Sequence, residues 1–414
     1  MGEQLAEPSI DERPPRGPVV DFNHFTHVTL GGSDESWREL REQHPVAWTD
    51  ASGGHWVLTG YDAVSQAFRD WETFSSARTN PAVSSLILGD ARMPLLVPEE
   101  LDPPEWDGPR ALFSKLLAKR SVETLRPRIR HWTRHFIDAF IGTGSAELAR
   151  DLAVPVPAAV TMEWLGWPED EWMKAASTFH QMARHEFGSP EFMNAGKQFI
   201  WLGERITEEV AARRETPRDD VLSTMANHEV DGERIPAADA EAMVMLAIGG
   251  GVDTTTSLTS SALVHLGQHP ELRAQLRDDR SLIPLATEEF LRVYPPARTH
   301  ARTVTRDVEF AGCPMRAGDR VLLSEAAACS DPAAFPDADR FVVDRRPNRH
   351  VAFGTGIHRC PGSHLARIEF DEILNAVLDR LPDYDLGEPV EYPNWSTIGG
   401  WAQIPVTFAP EVQR

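Results

Sequence analysis

One ten-residue segment constrains this chain more than any other: Phe353-Gly-Thr-Gly-Ile-His-Arg-Cys360-Pro-Gly362. It places three glycines, a His–Arg pair and a cysteine between an irregular stretch and an amphipathic pattern typical of a helix. Glycines let a backbone approach a flat cofactor closely, and nearby cations and peptide amides favour a cysteine thiolate. The segment therefore predicts a thiolate ligand to a buried cofactor or, on the simpler interpretation, a tight turn with an ordinary buried cysteine.

A second run of glycines, Gly249-Gly-Gly251, lies inside an apolar helical pattern over residues 237–267. Each glycine in a helix interior costs about 1 kcal/mol relative to alanine, which suggests a compensating use. Glycines open a groove on the helix surface, and the hydroxyl of Thr254 can bond back to a carbonyl one turn earlier. The pattern indicates either a pocket for a small ligand or a close crossing with another helix.

These segments, with Glu289-Phe-Leu-Arg292 between them, occur in the order found in the cytochrome P450 family, which the chain resembles over roughly residues 36–410. The resemblance implies a mainly α fold with small β-sheets, in which a triangular helical body buries haem b (iron protoporphyrin IX) between the Asp253/Thr254 helix and the Cys360 loop. In that family the matching cysteine is the proximal ligand of the iron, and its electron donation assists O–O cleavage. Cys360 is therefore the predicted metal ligand.

Other residues match positions that hold the haem in that family. Buried propionates need guanidinium or imidazole partners, and the matching residues are Arg110, Arg302 and His350. Each of these could equally be an ordinary surface charge. Trp106 stands where many relatives carry a histidine, so one propionate contact is expected to be absent or replaced by the indole N–H. The predicted haem-binding set is completed by Phe353, Gly250 and Gly362.

Two further motifs are assigned by the same resemblance. Asp253 and Thr254 resemble the acid–alcohol pair that delivers protons during dioxygen activation. Family members that use hydrogen peroxide directly often lack this pair, so its presence favours reductive activation of O2. Glu289 and Arg292 share one helical face, and together with Arg340 they match the elements that serve folding and haem retention. The first pair is expected to be catalytic and the other three residues structural.

Pro361 follows the cysteine directly and has no N–H. One amide that would otherwise be able to bond to the sulfur is therefore missing, and such bonds tune a metal site. We expect a more electron-rich thiolate and a lower iron potential than leucine would give at this position.

The substrate side is less constrained. The resemblance predicts a pocket lined from residues 82–97, 179–192, 244–255, 297–301 and 396–401, most of which are apolar, as in ligand pockets generally. Arg298, Thr299 and His300 are polar for the segment that runs over the haem. They favour a substrate with a carboxylate or carbonyl, or else they turn to the propionates or to water. The candidate substrate contacts are Val244, Ala247, Arg298, His300 and Ile398.

Charge and cysteine content limit the partners and the location. The formal net charge of -22 argues against nucleic acid and anionic membrane surfaces. Three cysteines without a CxxC suggest neither a disulfide framework nor a zinc ribbon, which is typical of the cytoplasm. A ferredoxin and a ferredoxin reductase are expected to supply electrons to a monomer. The expected docking site is a basic patch formed by Lys115, Lys119, Arg120, His358 and Arg359. Alternatively, these five residues are scattered solvated charges that form no patch.

The organisation predicted along the chain is a flexible leader at 1–21 and a single haem domain at 22–414. Helices are expected at 36–43, 61–69, 111–117, 129–140, 197–212, 237–267 and 363–381. Strands are expected at 46–48, 55–59, 308–313 and 320–324, the first two forming a hairpin around Asp50-Ala-Ser-Gly-Gly54. Residues 330–350 form a proline- and aspartate-rich meander with no periodicity.

The function implied is a haem-thiolate monooxygenase that oxidises a small, largely apolar molecule, with natural-product biosynthesis as the expected setting. Ring closure or coupling without oxygen insertion is the alternative, because substrate placement decides between the two outcomes. A haem sensor without enzymatic activity would need neither the acid–alcohol pair nor a docking patch for a reductant.

Overall fold

The fold is described from a computed structural model over residues 17–23, 35–89, 92–183, 185, 189–392 and 397–411. Most of the predicted leader, residues 1–16, lies outside the described residues, as do positions 90–91, 184, 186–188 and 396 of the predicted substrate segments. Residues 18–20 were expected to belong to the leader, but they pair with the first strand. Trp48 N–H donates to Pro18 O, and Val20 N–H donates to Trp48 O, each over 2.8 Å. The predicted boundary at residue 21 is therefore too late.

Helices form about half of the described chain. Their hydrophobic stripes are spaced by three and four residues, as a packed helix requires. In chain order they are α1 (Glu35–Gln43), α2 (Tyr61–Arg69), α3 (Asp107–Leu116), α4 (Lys119–Glu123), α5 (Arg126–Phe140), α6 (Pro155–Leu165), α7 (Trp172–Ala183), α8 (Pro190–Glu215), α9 (Val221–Ala226), α10 (Ala237–Gln268), α11 (Pro270–Asp278), α12 (Ile283–Val293), α13 (Glu325–Cys329) and α14 (Ser363–Arg380).

The strands are short and lie in small sheets. They are β1 (Val46–Thr49), β2 (His55–Leu58), β3 (Phe74–Ser75), β4 (Ser145–Glu147), β5 (Glu229–Val230), β6 (Glu233–Arg234), β7 (Thr299–Val304), β8 (Val308–Phe310), β9 (Cys313–Met315), β10 (Arg320–Ser324), β11 (Tyr384–Leu386), β12 (Val390–Glu391), β13 (Trp401–Gln403) and β14 (Pro405–Phe408). The largest sheet has the order β1-β2-β10-β7-β3. β1 and β2 form the predicted antiparallel hairpin, in the register Val46 to Leu58.

The main hydrophobic core surrounds α10, which spans 32 residues, or about 48 Å at 1.5 Å per residue. This helix packs against α6, α7, α8 and α14, and most of its side chains are buried. A second core lies between the five-stranded sheet, α12 and α14. Helix α10 is thus held from several sides, which fixes the position of its glycines. In the part of the chain described, no helix combines the length and apolar character needed to cross a membrane.

Candidate functional site

The cysteine loop lies on the C-terminal end of α2. Cys360 N–H donates to Phe353 O over 2.8 Å and closes the loop. Gly354 and Gly356 have φ of +63° and +73°, a region that favours glycine. A Cβ on Gly356 would lie 2.4 Å from Phe68 O and 2.9 Å from the Cα of Arg69. The loop therefore needs glycine to reach α2, which explains part of the motif without any cofactor.

The groups around the Cys360 sulfur have opposite effects on the pKa of its thiol. Burial raises the pKa of the Cys360 thiol, and the carboxylate of Glu99 acts in the same direction. The Gly362 N–H donates to the sulfur and, with Arg110 and Arg359, favours the thiolate. Pro361 has no N–H to add, so the amide donor comes from the residue after it. Metal coordination deprotonates a thiol outright, and these groups then stabilise the resulting anion.

The three glycines of α10 have three different surroundings. A Cβ on Gly249 would come within 2.8 Å of the Phe179 ring on α7, and one on Gly251 within 2.6 Å of Thr161 Oγ1 on α6. A Cβ on Gly250 would meet no atom of the neighbouring described residues within 4 Å. The interpretation as a close helix crossing is therefore confirmed for Gly249 and Gly251, and the interpretation as a ligand pocket stays a prediction at Gly250. Gly249 and Gly251 permit close helix crossings, and Gly250 leaves an open groove.

Asp253 and Thr254 face different sides of α10. Thr254 Oγ1 donates to Gly250 O over 2.8 Å, the predicted bond to the preceding turn. Asp253 is 4% exposed and points toward α7, where His180 Nδ1 lies 3.6 Å from its Oδ1. Within the described residues, Asp253 Oδ1 is buried without a hydrogen-bond partner. The alcohol thus borders the open groove, and the acid lies behind it in the protein.

Arg110 and Trp106 lie beside the cysteine loop. Arg110 Nη2 donates to Arg359 O over 2.6 Å, and its guanidinium carbon is 5.6 Å from the centre of the Trp106 ring. The centre of the His358 imidazole lies 6.0 Å from that of the Trp106 ring. Trp106 Nε1 and His358 Nε2 are both buried and without a hydrogen-bond partner among the described residues. These two buried nitrogens are therefore able to bind a polar ligand.

His358 differs from its sequence-based role. Burial, followed by the positive charge of Arg302, lowers the pKa of His358 to about 3, so the imidazole is neutral. It faces Trp106 inside the protein and does not join the predicted basic surface patch. Its position two residues before Cys360 was the signal for an inward-facing role, which the sequence analysis missed.

Arg302 is buried on β7 and lies 5.5 Å from the centre of the Phe68 ring. Its Nη1 donates to Ala301 O over 2.8 Å. Burial lowers the pKa of Arg302, and the carboxylates of Glu99, Glu325 and Asp102 counteract this effect. Arg302 therefore lies among acidic groups, of which Glu99 also influences the sulfur and was not found from the sequence.

His300 does not match its predicted role in substrate binding. Its Nδ1 bonds to Glu325 Oε1, and its Nε2 lies 3.6 Å from Glu99 Oε1. Burial opposes ionisation, yet the two carboxylates raise the pKa of His300 to about 10. Both nitrogens of the charged ring face protein carboxylates, so neither is left for a substrate acceptor. The assignment of His300 to the substrate was therefore wrong.

His350 is likewise committed within the protein. His350 Nε2 lies 3.1 Å from Glu288 Oε2, and Glu288 also accepts two hydrogen bonds from Arg367. His350 Nδ1 accepts from Ala352 N–H over 3.3 Å. Because both ring nitrogens have partners, the prediction that His350 binds a propionate is contradicted. Phe353 lies next to this group, with the guanidinium carbon of Arg367 4.6 Å from its ring centre.

The buried ion-pair network contains the predicted Glu289 and Arg292 but a different third arginine. Arg292 Nη2 and Nε donate to the two oxygens of Glu289 over 2.8 and 2.9 Å. Arg345 Nε lies 3.1 Å from both oxygens. The backbone carbonyl of Arg340 accepts a hydrogen bond from Arg292, and Arg340 is an exposed residue. The assignment to Arg340 was wrong because the irregular chain turns residue 345 inward.

Four predicted substrate contacts remain. Val244 is completely buried in the main core, whereas Ala247 is 8% exposed. Arg298 N–H donates to Thr397 O over 2.9 Å, and Ala297 forms a bridge with Ile398. The structure therefore brings Arg298 and Ile398 together from distant parts of the chain. Val244 packs among core side chains and offers no exposed surface.

These residues fit a haem. A flat dianionic cofactor with an iron needs one thiolate, a glycine-lined approach and donors for two carboxylates. Cys360 and Gly250 supply the first two features. Arg110 and Arg302 supply charge, and Trp106 Nε1 and His358 Nε2 supply buried polar atoms that have no hydrogen-bond partner in the described part of the protein. The donor set thus agrees with haem propionates at four residues, two of them predicted as ligands.

Comparisons with known proteins give a consistent result. The family model described as cytochrome P450 matches residues 190–382. Mycinamicin IV hydroxylase/epoxidase of Micromonospora griseorubida is 33% identical, covering 94% of this chain and 98% of that protein. Cytochrome P450 107B1 of Saccharopolyspora erythraea is 31% identical, covering 94% and 98%. The crystal structure of CYP108D1 from Novosphingobium aromaticivorans matches with a TM-score of 0.82 at 28% identity, covering 95% of this chain and 100% of that one.

Proposed function

Because this chain belongs to the cytochrome P450 family of haem-dependent monooxygenases, we propose that Cys360 ligates the haem iron and that the enzyme oxidises a small, largely apolar molecule. The observation that carries the proposal is the cysteine loop. Its glycines hold it against α2, and the Gly362 N–H donates to the sulfur. A structural turn would not need this donor or the cations around it.

Charged and neutral side chains together are proposed to bind the two propionates of the haem. Arg110 and Arg302 balance the propionate charges, and at the same end of the site Trp106 Nε1–H donates a hydrogen bond, as does His358 Nε2 in the tautomer that carries its proton there. His358 replaces His350 in this role, because its Nε2 is buried without a hydrogen-bond partner among the described residues. When bound, the haem supplies the reductive activation of O2 and the transfer of oxygen to the substrate.

Asp253 and Thr254 are the proposed proton-handling residues. The Thr254 hydroxyl donates a hydrogen bond to Gly250 O, so its oxygen keeps lone pairs that can accept a hydrogen bond beside the open groove. Asp253 is buried one residue earlier, with Oδ1 lacking a hydrogen-bond partner among the described atoms. A carboxyl group is one of the side chains that transfer protons to a reacting group. Together the pair supports proton delivery in preference to direct use of peroxide.

The proposed substrate contacts are Ala247, Arg298 and Ile398. Ala247 lies on α10 three residues before the open position of Gly250, and the 297–298 and 397–398 segments are joined by backbone hydrogen bonds. The relative named for mycinamicin IV acts as a hydroxylase and epoxidase. We extend this to the present chain as oxidation of a natural-product scaffold, with Arg298 favouring an acceptor group on the molecule.

A ferredoxin is the proposed electron donor. The side chains of Lys115, Lys119, Arg120 and Arg359 belong to exposed residues. The carbonyl of Arg359 accepts a hydrogen bond from Arg110, so this surface is directly connected to the residues around the sulfur. A positive surface on a chain of net charge -22 suits an acidic partner. His358 is excluded from this surface because it is neutral and faces inward.

The test is turnover with defined components. The purified enzyme is incubated with O2, ferredoxin, ferredoxin reductase, NADPH and a panel of macrolide, steroid and terpenoid substrates, and the products are weighed by mass spectrometry. Insertion of oxygen in a dioxygen-dependent reaction supports the proposal, and isotopically labelled O2 identifies the source of the atom. Loss of two hydrogens without oxygen gain would instead establish coupling or ring closure.

A further inference from the structure

Behind the proposed proton-handling pair lies a second group of buried polar side chains from three separate elements. Asp253 is on α10, His180 is on α7 and Tyr392 follows β12. Each is 4% exposed. His180 Nδ1 lies 3.6 Å from Asp253 Oδ1, and Tyr392 Oη lies 3.1 Å from the same nitrogen. The imidazole is therefore shared between an acid and a phenol.

The backbone is built to bring these groups together. Gly249 lies one turn before Asp253 on the same face of α10, and its missing Cβ leaves room for the ring of Phe179, the neighbour of His180. Gly400 does the same for Tyr392, since a Cβ there would lie 2.5 Å from Tyr392 Cε2. The ring centres of His180 and Tyr392 are 5.8 Å apart with planes at 69°. Two glycines thus allow the contacts on either side of the histidine.

The hydrogen bonds at His180 Nδ1 exclude one another. When the nitrogen is unprotonated it accepts from the Tyr392 hydroxyl, and Asp253 Oδ1 has no hydrogen-bond partner within the described part of the chain. When Nδ1 carries a proton it becomes a donor. The carboxylate 3.6 Å away is then the acceptor, and closing this distance by about 0.8 Å makes a charge-assisted hydrogen bond.

We infer that His180 is a positioning residue that reloads Asp253 with protons, and that Tyr392 holds its imidazole in place between transfers. In the step, the Nδ1–H bond of the imidazolium breaks and an O–H bond forms at Asp253 Oδ1. The imidazole is left neutral and accepts from Tyr392, and solvent water returns the proton to the ring. The inference rests on the proposed role of Asp253 in dioxygen activation.

Another buried His–Tyr pair, formed by His265 on α10 and Tyr294 directly after α12, provides a matched control. His265 Nδ1 lies 2.8 Å from Tyr294 Oη, and His265 is buried like His180. It is 12 residues beyond Asp253, or about 18 Å along the helix axis. Substituting either residue of this pair therefore removes the same kind of hydrogen bond, but far from Asp253.

The first experiment compares His180→Asn and Tyr392→Phe with His265→Asn and Tyr294→Phe in the haem-loaded enzyme. Asparagine keeps a neutral amide near the position of Nδ1, but it cannot carry the proton. Oxygen consumption driven by NADPH, reductase and ferredoxin is measured without added substrate, in H2O and in D2O. His180→Asn is expected to slow it at least tenfold, within the ~100-fold that a positioned proton donor contributes, and to enlarge the solvent isotope effect. Tyr392→Phe shifts both readouts in the same direction, and the two control variants remain at the wild-type values.

The second experiment does not depend on turnover. Nitrogen NMR spectra of the ferrous carbon monoxide complex, labelled with ¹⁵N-histidine, identify His180 by the resonances lost in His180→Asn. Its Nδ1 resonance is expected to move in both Asp253→Asn and Tyr392→Phe. An unmoved resonance, full oxygen consumption in His180→Asn, or equal slowing in His265→Asn would each overturn the relay. If the wild-type enzyme consumes no oxygen and lacks a thiolate-type carbon monoxide spectrum, the proposed function itself fails.

Discussion

Replacing Arg345 is predicted to destabilise the protein far more than replacing Arg340, although the two residues are five apart in one irregular stretch. The Arg345→Met substitution removes both 3.1 Å hydrogen bonds from Nε to Glu289 and leaves the carbonyls of Pro336 and Asp337 without their guanidinium donor. Arg340→Met keeps the carbonyl that Arg292 uses, because that group belongs to the backbone. The control therefore has the same composition and removes only an exposed side chain.

Removing one partner of a buried ion pair costs about 3–5 kcal/mol. We expect the lower end, about 3 kcal/mol, because Arg292 and the Val342 N–H still bond to Glu289. An unfolding entropy of about 2.1 cal/mol/K per residue amounts to roughly 0.9 kcal/mol/K for 414 residues. The Tm measured by far-ultraviolet circular dichroism should therefore fall by about 3 °C in Arg345→Met and by less than ~1 °C in Arg340→Met. Equal losses, or a greater loss in Arg340→Met, would refute the assignment.

Three further predictions concern the site. His358→Ala should release haem to apomyoglobin roughly tenfold faster or more, since a hydrogen bond to a charged group contributes about 1.5–3 kcal/mol; His350→Ala should change haem loss less, and the reverse order would contradict the exchange of their roles. Pro361→Leu should raise the iron reduction potential in a spectroelectrochemical titration by adding an amide donor near the sulfur, whereas an unchanged or lower potential argues against it. The raised pKa of His300, about 10, means that its stabilising effect is complete below about pH 6.5 and is lost as the pH rises through about 10. The difference in unfolding free energy between the wild-type protein and His300→Gln should shrink over that range, and a constant difference would count against the Glu99–His300–Glu325 arrangement.

Local patterns were sufficient for several elements. The helix predicted at 61–69 has the same bounds in the structure, and the hairpin around Gly53 and Gly54 follows from turn chemistry alone. Strand β7 was not predicted, because no local pattern reveals its pairing with β3, which lies more than 200 residues earlier in the sequence. Strand β14, near the end of the chain, was missed for the same physical reason, since one of its partners, β4, lies more than 200 residues away.

The site divides in the same way. Cys360, Asp253 and Thr254 stand in dense local motifs, so their types and spacing carry the chemistry. Arg345 and Glu99 lie in stretches without periodicity, where no local rule tells which side chain turns inward. His300 and His350 were assigned by position, but the carboxylates that occupy them come from other elements, Glu325 and Glu288. Only the folded arrangement of charges separates a ligand-binding histidine from one already paired.

The most direct test of Cys360 as the iron ligand is the carbon monoxide difference spectrum of the reduced protein. The wild-type protein, Cys313→Ser and Cys329→Ser should all show the red-shifted Soret band of a thiolate-ligated ferrous complex, because those two cysteines are buried in the second core. Cys360→Ser should lose that band. Retention of the band in Cys360→Ser, or its absence in the wild-type protein, would contradict the assignment of Cys360.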